Sequence, residues 1–338
     1  MNAMSAAHGR LCHRHPMAKA TRPARPDVLV IGAGVTGLTT AVCLAEDGLT
    51  VRVDSDLPPG ATTSAAAGAA WDPFMIEPQD RVRQWSEISL ADFASLADRP
   101  QTTGVRLVSG THQSLVPRTA PDWTGTVGAQ ACTPAELRPG YAVGWRYTAP
   151  VIDMPHYLGY LVRRLAAAGG RLRTRRYGSP AEALAEAPVV VNCSGSGARA
   201  LVPDPATTVV RGQIAVVENP GITEFFCDDT PDAEELVYAY PHGDTLVLGG
   251  TAEPGVWDLR PDPSATAAII RRCAAVLPQV RDAAVLAARV GLRPVRPQVR
   301  LAADPTAHGR LLHNYGHGGA GVTVSWGCAR EVAALLRG

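Results

Sequence analysis

Up to residue 26 the chain shows no hydrophobic periodicity; it is basic and broken by proline, so a disordered extension is expected over residues 1–26. The pattern then changes abruptly. Val28–Ile31 is a continuous apolar run, as expected of a strand covered on both faces of a parallel sheet. Leu38, Val42 and Ala45 recur at helical spacing, Gly48 marks a helix end, and Val51 and Val53 open a second strand. A helix-rich middle is expected next, then an amphipathic helix over 156–169, a buried strand over 189–191, a strand over 246–248 within a region of alternating character, and a last helix over about 323–336. An opening βαβ unit followed by strand-rich segments predicts an α/β fold, a Rossmann-like domain joined to an α+β part with a mixed or antiparallel sheet.

The turn between the first strand and helix reads Gly32-Ala33-Gly34-Val35-Thr36-Gly37. GxGxxG is a weak pattern alone, but here it follows a strand and opens a helix, as its mechanism requires. Gly32 permits the tight turn, Gly34 lets a pyrophosphate reach the backbone, and Gly37 allows close helix–strand packing. The free N–H groups at the helix start then hold the anion. Asp54, about 20 residues on at the end of the second strand, stands where a carboxylate can accept from ribose hydroxyls. The motif predicts a dinucleotide and leaves NAD or FAD open.

Composition narrows the class. The chain has 338 residues, enough for two domains, and is 46% hydrophobic and 19% charged with net charge +1. That excludes a disordered chain and an electrostatic nucleic-acid binder, and no apolar run is long enough for a membrane span. Lys19 is the single lysine, so an arginine at a site carries little information by its charge alone. Seven cysteines are scattered without a CxxC pair, which fits reduced thiols and a cytoplasmic location. The tract Cys12-His13-Arg14-His15 has metal-ligating residues but no partners to organise them, and no metal is expected.

An ordered series of segments resembles the D-amino-acid oxidase family. Asp56-Leu57-Pro58-Pro59, Thr62-Thr63-Ser64 and Ala67-Gly68-Ala69-Ala70-Trp71 resemble its flavin-approach loop. Val191-Asn192-Cys193-Ser194-Gly195 with Arg211-Gly212-Gln213, and Leu248-Gly249-Gly250-Thr251, are similar to its inner segments. The most specific matches are Gly291-Leu292-Arg293-Pro294-Val295-Arg296-Pro297 and His313-Asn314-Tyr315-Gly316-His317-Gly318-Gly319-Ala320-Gly321, continued by Ser325-Trp326-Gly327-Cys328-Ala329. The series runs from about residue 27 to 336. It implies FAD as cofactor, a discontinuous FAD-binding domain (27–74, 148–200 and 294–338) and a substrate-binding domain (75–147 and 201–293). It also implies oxidative deamination of a D-amino acid to a 2-oxo acid, ammonia and hydrogen peroxide, with hydride passing from Cα to flavin N5. The implied partners are a D-amino acid and molecular oxygen, with a homodimer left open.

Carried onto this chain, the resemblance implies that Arg293 clamps the substrate carboxylate through its guanidinium fork, that Tyr238 supports it, and that the Gly319 carbonyl accepts from the amine. Tyr240 joins the substrate site, and the Tyr-x-Tyr-Pro form is also similar to D-aspartate oxidases. FAD contacts are implied for Gly32 to Gly37, Asp54, Thr62, Thr63, Ser64, Gly68, Ala69, Ala70, Gly318, Gly319, Gly321 and Val322. Thr323 is implied as a side-chain contact to the flavin, and Tyr177 as an adenine contact. Arg296 and Arg300 match no ligand role and are read as structural. His313 and His317, in a Gly-rich turn, are read as packing or hydrogen-bonding groups. No general base is needed at Cα, since a neutral amine can drive hydride transfer once the substrate is oriented.

The segment from Phe225 to Glu235 carries Asp228, Asp229, Asp232, Glu234 and Glu235, and an acidic lid of this kind favours neutral or basic D-amino acids. The rival readings are a D-aspartate oxidase, a glycine or sarcosine oxidase, and a catalytically silent FAD-binding protein.

Overall fold

The computed structural model describes residues 25–72, 76–231, 233, 235–307 and 310–337. Most of the expected N-terminal extension, including the Cys12–His15 tract, therefore lies outside the described residues, as do Asp232 and Glu234.

The strands are β1 Val28–Ile31, β2 Val51–Ser55, β3 Val105–Ser114, β4 Gln130–Ala131, β5 Val143–Ile152, β6 Arg171–Thr174, β7 Val189–Asn192, β8 Thr208–Glu218, β9 Phe225–Asp228, β10 Tyr238–His242, β11 Thr245–Gly249, β12 Glu253–Pro254, β13 Val285–Ala303 and β14 Leu311–His317. They form one continuous sheet in the order β4-β5-β3-β9-β10-β11-β8-β13-β14-β7-β1-β2-β6, with β12 beside β8. At one end β14, β7, β1, β2 and β6 run parallel, and the apolar run of β1 is buried along its whole length. Towards the other end β10, β11, β8 and β13 pair antiparallel.

The 19-residue strand β13 joins the two parts. Its residues from Val285 to Val295 pair with β8, and those from Val295 to Ala303 pair with β14. Arg293 therefore stands at the joint.

The helix Val35–Glu46 begins where the sequence predicts, and the expected helix near 156–169 runs over Met154–Ala167. With Gln79–Leu96 and the last helix, Ser325–Arg337, they enclose a core around Leu38, Trp85, Phe93, Tyr157 and Trp326. Each large apolar side chain buried there contributes roughly 1.5–3 kcal/mol. The polar edges of these aromatics are also satisfied: Trp326 Nε1 donates to Tyr157 Oη at 2.9 Å and Trp71 Nε1 to the Ser86 carbonyl at 2.9 Å. The helix Gln79–Leu96 falls in the segment expected on the substrate side, yet Ser89 Oγ accepts from the N–H groups of Trp326 and Gly327 in the last helix.

The helix-rich middle requires correction. After Gln79–Leu96 the chain forms the ten-residue strands β3 and β5, paired antiparallel from Val105↔Ile152 to Ser114↔Val143. Their alternation is masked because the later half of β3 is buried on both faces, covering the polar Thr111, His112, Gln113 and Ser114.

Candidate active site

A cleft of about 1670 Å³ runs from the start of the first helix to the joint in β13. This exceeds the roughly 300–1,000 Å³ of a pocket for one small ligand, leaving room for a dinucleotide and a substrate together. Gly32, Ala33, Gly34, Val35 and Thr36 line it at one end. Gly32 has φ 110°, and a Cβ there would lie 2.4 Å from the Cys193 carbonyl oxygen, so the turn admits only glycine. Gly37 faces inward: a Cβ would meet the Gly32 carbonyl, which is the close helix–strand packing expected of it. Ser64 Oγ, from the neighbouring loop, accepts the Val35 N–H at 2.9 Å and shapes the helix entrance. Thr62, Thr63, Gly68, Ala69, Ala70 and Tyr177 also line the cleft. Thr63 Oγ1 donates to the Leu292 carbonyl at 3.2 Å, tying this loop to β13.

At the joint, Arg293 lies flat over Gly212, where a Cβ would sit 2.2 Å from Nη1. Its Nη1 donates to the Thr251 carbonyl at 3.0 Å, and among the described residues no carboxylate pairs with it. Tyr238 packs over Gly249, whose missing Cβ would fall inside its ring. Burial, offset in part by the Arg293 charge, raises the Tyr238 hydroxyl to about 12, so it remains a neutral donor. Tyr240 stacks on Tyr238 with centroids 4.9 Å apart. Gly318, Gly319, Gly321 and Val322 close the same wall. By contrast, Arg296 donates to Asp204 at 2.9 Å and Arg300 to Tyr315 Oη at 2.8 Å, in keeping with their structural reading.

Neither histidine of the Gly-rich strand end is built as a charged acid. His313 lies away from the cleft, hydrogen-bonded to Asp304 at 3.0 Å, and burial lowers its affinity for a proton despite that carboxylate. His317 lines the cleft, burial pushes it down to about 4, and its Nε2 has no hydrogen-bond partner among the described residues.

The family profile described as FAD dependent oxidoreductase matches residues 27–335. The chain belongs to that family. It is 48% identical to a D-amino-acid oxidase of Rubrobacter xylanophilus over 312 residues, covering 91% of this chain and 94% of the relative. It is 36% identical to the human D-aspartate oxidase, covering 91% and 94% of the two chains. Its fold resembles that of a glycine oxidase from Geobacillus kaustophilus, with a TM-score of 0.78, 20% identity and coverage of 93% and 95%.

The cofactor of this FAD-dependent family fits the cleft. A helix start whose N-cap, Gly34, supplies no side-chain acceptor, the narrow Gly32–Gly34 turn and the orphaned His317 Nε2 and Asn314 Oδ1 all leave polar groups for a ligand to satisfy. Two expected contacts need correction. Asp54 is fully buried and does not line the cleft; its carboxylate accepts from Arg173 at 2.6 and 3.0 Å and from Tyr177 Oη at 2.6 Å. Burial alone would raise its pKa, but these bonds and the Arg52 charge hold it below the usual range. Asp56, two residues on, does line the cleft. Thr323 also lies outside the cleft lining. Its hydroxyl donates to the Asp72 carbonyl at 2.8 Å and accepts the Asp72 N–H at 3.0 Å, so it pins a loop.

The described acids of the segment from Phe225 to Glu235 each have a partner. Asp228 accepts from Tyr141 Oη at 3.0 Å, Asp229 from Arg118 at 3.0 Å, and Glu235 from Arg272 at 2.9 Å. Asp72, Trp123 and Arg118 line the cleft and were missed. The one signal for Asp72 was a carboxylate directly after the small-residue run that ends at Trp71.

Proposed function

We infer that the protein oxidises D-amino acids to imino acids, which hydrolyse to 2-oxo acids and ammonia while oxygen is reduced to hydrogen peroxide. The observation that carries this reading is Arg293: a cation at the cleft joint with no carboxylate partner among the described residues, beside a neutral tyrosine donor. The similarity to a relative named D-amino-acid oxidase supports it. FAD, when bound, supplies the acceptor for the hydride leaving Cα.

In this reading Arg293 receives the substrate carboxylate on the donors it does not spend on Thr251, and Tyr238 Oη adds a second donor to the same group. The Gly319 carbonyl accepts from the substrate amine. Tyr240, stacked on Tyr238, fixes that ring and excludes water from the wall. Gly32 to Thr36, the Thr62–Ser64 loop, Gly68 to Ala70, Asp56, Tyr177 and the turn from Gly318 to Val322 hold the dinucleotide. No side chain is assigned to take a proton from Cα: His313 is tied to Asp304, and burial keeps His317 neutral. Catalysis then rests on orientation and desolvation.

The test is peroxide release by the purified yellow protein over paired D- and L-amino acids, with glycine, sarcosine and D-aspartate included. Turnover confined to D-amino acids supports the reading; turnover of glycine or sarcosine alone, or of nothing, overturns it. A D-aspartate oxidase would need a second free cation for the side-chain carboxylate. Arg118, the arginine beside Asp229 in the cleft, is already bonded to the Asp229 carboxylate and carbonyl.

A further inference from the structure

The cleft that holds Arg293 also has an acidic arm, formed by side chains of the opposite charge. Asp72 and Asp229 both line it, with Trp123 and Tyr240 among the walls. Asp229 is satisfied by Arg118. Asp72 is not: among the described residues no arginine pairs with its carboxylate, and no donor lies within hydrogen-bond distance of it. The nearest basic group is His112, whose Nε2 is 3.9 Å away. Burial lowers His112 to about 3, so it is a neutral ring and offers no charge.

The remaining titratable groups around Asp72 are Tyr147 on β5, Cys227 on β9 and Tyr240 on β10. Burial raises each of them well above its ordinary value, leaving them neutral. Burial, and then the Asp229 charge, raise Asp72 itself to about 7. The arm thus presents an uncompensated acid beside aromatic faces, a combination that suits a cation. The backbone N–H and carbonyl of Asp72 are both bonded to the Thr323 hydroxyl, which fixes the point from which the side chain enters the cleft.

We propose that Asp72 anchors a subsite for a positively charged substrate side chain, so that D-amino acids ending in a guanidinium or ammonium are preferred over neutral ones of the same shape. A D-arginine or D-lysine zwitterion then meets a cleft with matching poles: its carboxylate on Arg293 and its distal cation on Asp72, against Trp123 and Tyr240. This rests on the D-amino-acid oxidase reading and assigns the determinant to Asp72 in place of the acidic segment as a whole.

The test compares kcat/KM for D-arginine with that for D-citrulline, its uncharged analogue of nearly equal shape, on the FAD-loaded wild-type protein and on D72N. The wild type favours D-arginine by about tenfold or more, as expected of a charge-assisted contact, and D72N brings the ratio close to one. The wild-type protein gives a second reading that needs no variant. The ratio rises with pH as Asp72 ionises around its value of about 7, because the guanidinium stays charged and the α-amine is common to both substrates. Equal rates for the two substrates, or a preference for D-arginine that survives in D72N, overturn the subsite while leaving the oxidase reading standing. A preference for D-aspartate overturns it in favour of Arg118. If no D-amino acid is oxidised, the function proposed above fails and the subsite with it.

Discussion

Arginine is nearly the only cation in this chain, so its chemistry has to be read from its partners. Arg296 and Arg300 converge on Asp204, with separations of 2.9 and 3.9 Å, whereas Arg293 rests on Gly212 with a single backbone acceptor. Arg293→Leu should lower kcat/KM for D-amino acids by about 30- to several-thousand-fold, the equivalent of roughly 2–5 kcal/mol for losing one side of a desolvated charge pair. FAD should remain bound, as the unchanged visible spectrum would show. Tyr238→Phe removes one hydroxyl donor and should cost about tenfold in kcat/KM; an effect under twofold would remove Tyr238 from the carboxylate site.

At this scale the sequence was legible where a motif constrains a backbone, as at Gly32 and around Arg293. It was not legible where a side chain's partner decides its role. Asp54 has the spacing of a ribose ligand, but Arg52 of its own strand and Arg173 opposite it on β6 claim it. Thr323 is diverted in the same way by the backbone of a residue 251 positions away.

Elements carry the next level of the argument. The helix Val35–Glu46 follows a glycine turn; Ser64 takes its first N–H, and its N-cap Gly34 has no side chain to cover the next ones, which are left for a ligand at the cleft. A Cβ on Gly34 would stand 3.0 Å from Ser64 Oγ, so a larger side chain fills the space a pyrophosphate needs. Gly34→Leu should therefore purify colourless; a yellow, fully loaded variant would place the pyrophosphate elsewhere.

The Asp54 cluster ties β2 to β6 and makes a separate prediction. Its folded-state pKa is depressed, so its contribution to stability is present above the ordinary carboxylate range and is lost as pH falls through the lower folded value. Asp54→Asn should lower stability at neutral pH by about 2 kcal/mol in a denaturant titration, with the difference from wild type shrinking in acid. Strands with one clear period, such as β1 and β7, were readable in advance. The β3–β5 pair was not, because neighbours from three sides bury its polar half, and no local pattern records that.

Across the whole molecule, the site exists only because distant stretches meet. The first helix, the Thr62–Ser64 loop, Tyr177 and the turn after β14 reach the cleft from separate parts of the chain, and β13 links that end to Tyr238 and the cleft's acidic arm. A cofactor spanning those stretches binds the folded state alone. FAD added to apoprotein at a hundredfold excess over its Kd should accordingly add about 2.7 kcal/mol of stability, visible as a rise in Tm. The ordered motifs made the general layout and cofactor legible, but the charge map of the substrate arm depends on pairings that appear only in three dimensions.

The central claim is that this cleft brings a D-amino acid's Cα to the flavin. Its most direct test mixes the FAD-loaded protein with D-arginine or D-alanine in the absence of oxygen and follows the visible flavin band. The account predicts bleaching by the D-enantiomer and none by the L-enantiomer, with colour and peroxide appearing when oxygen is admitted. A band left unchanged by every D-amino acid tried, or bleached equally by both enantiomers, would contradict it.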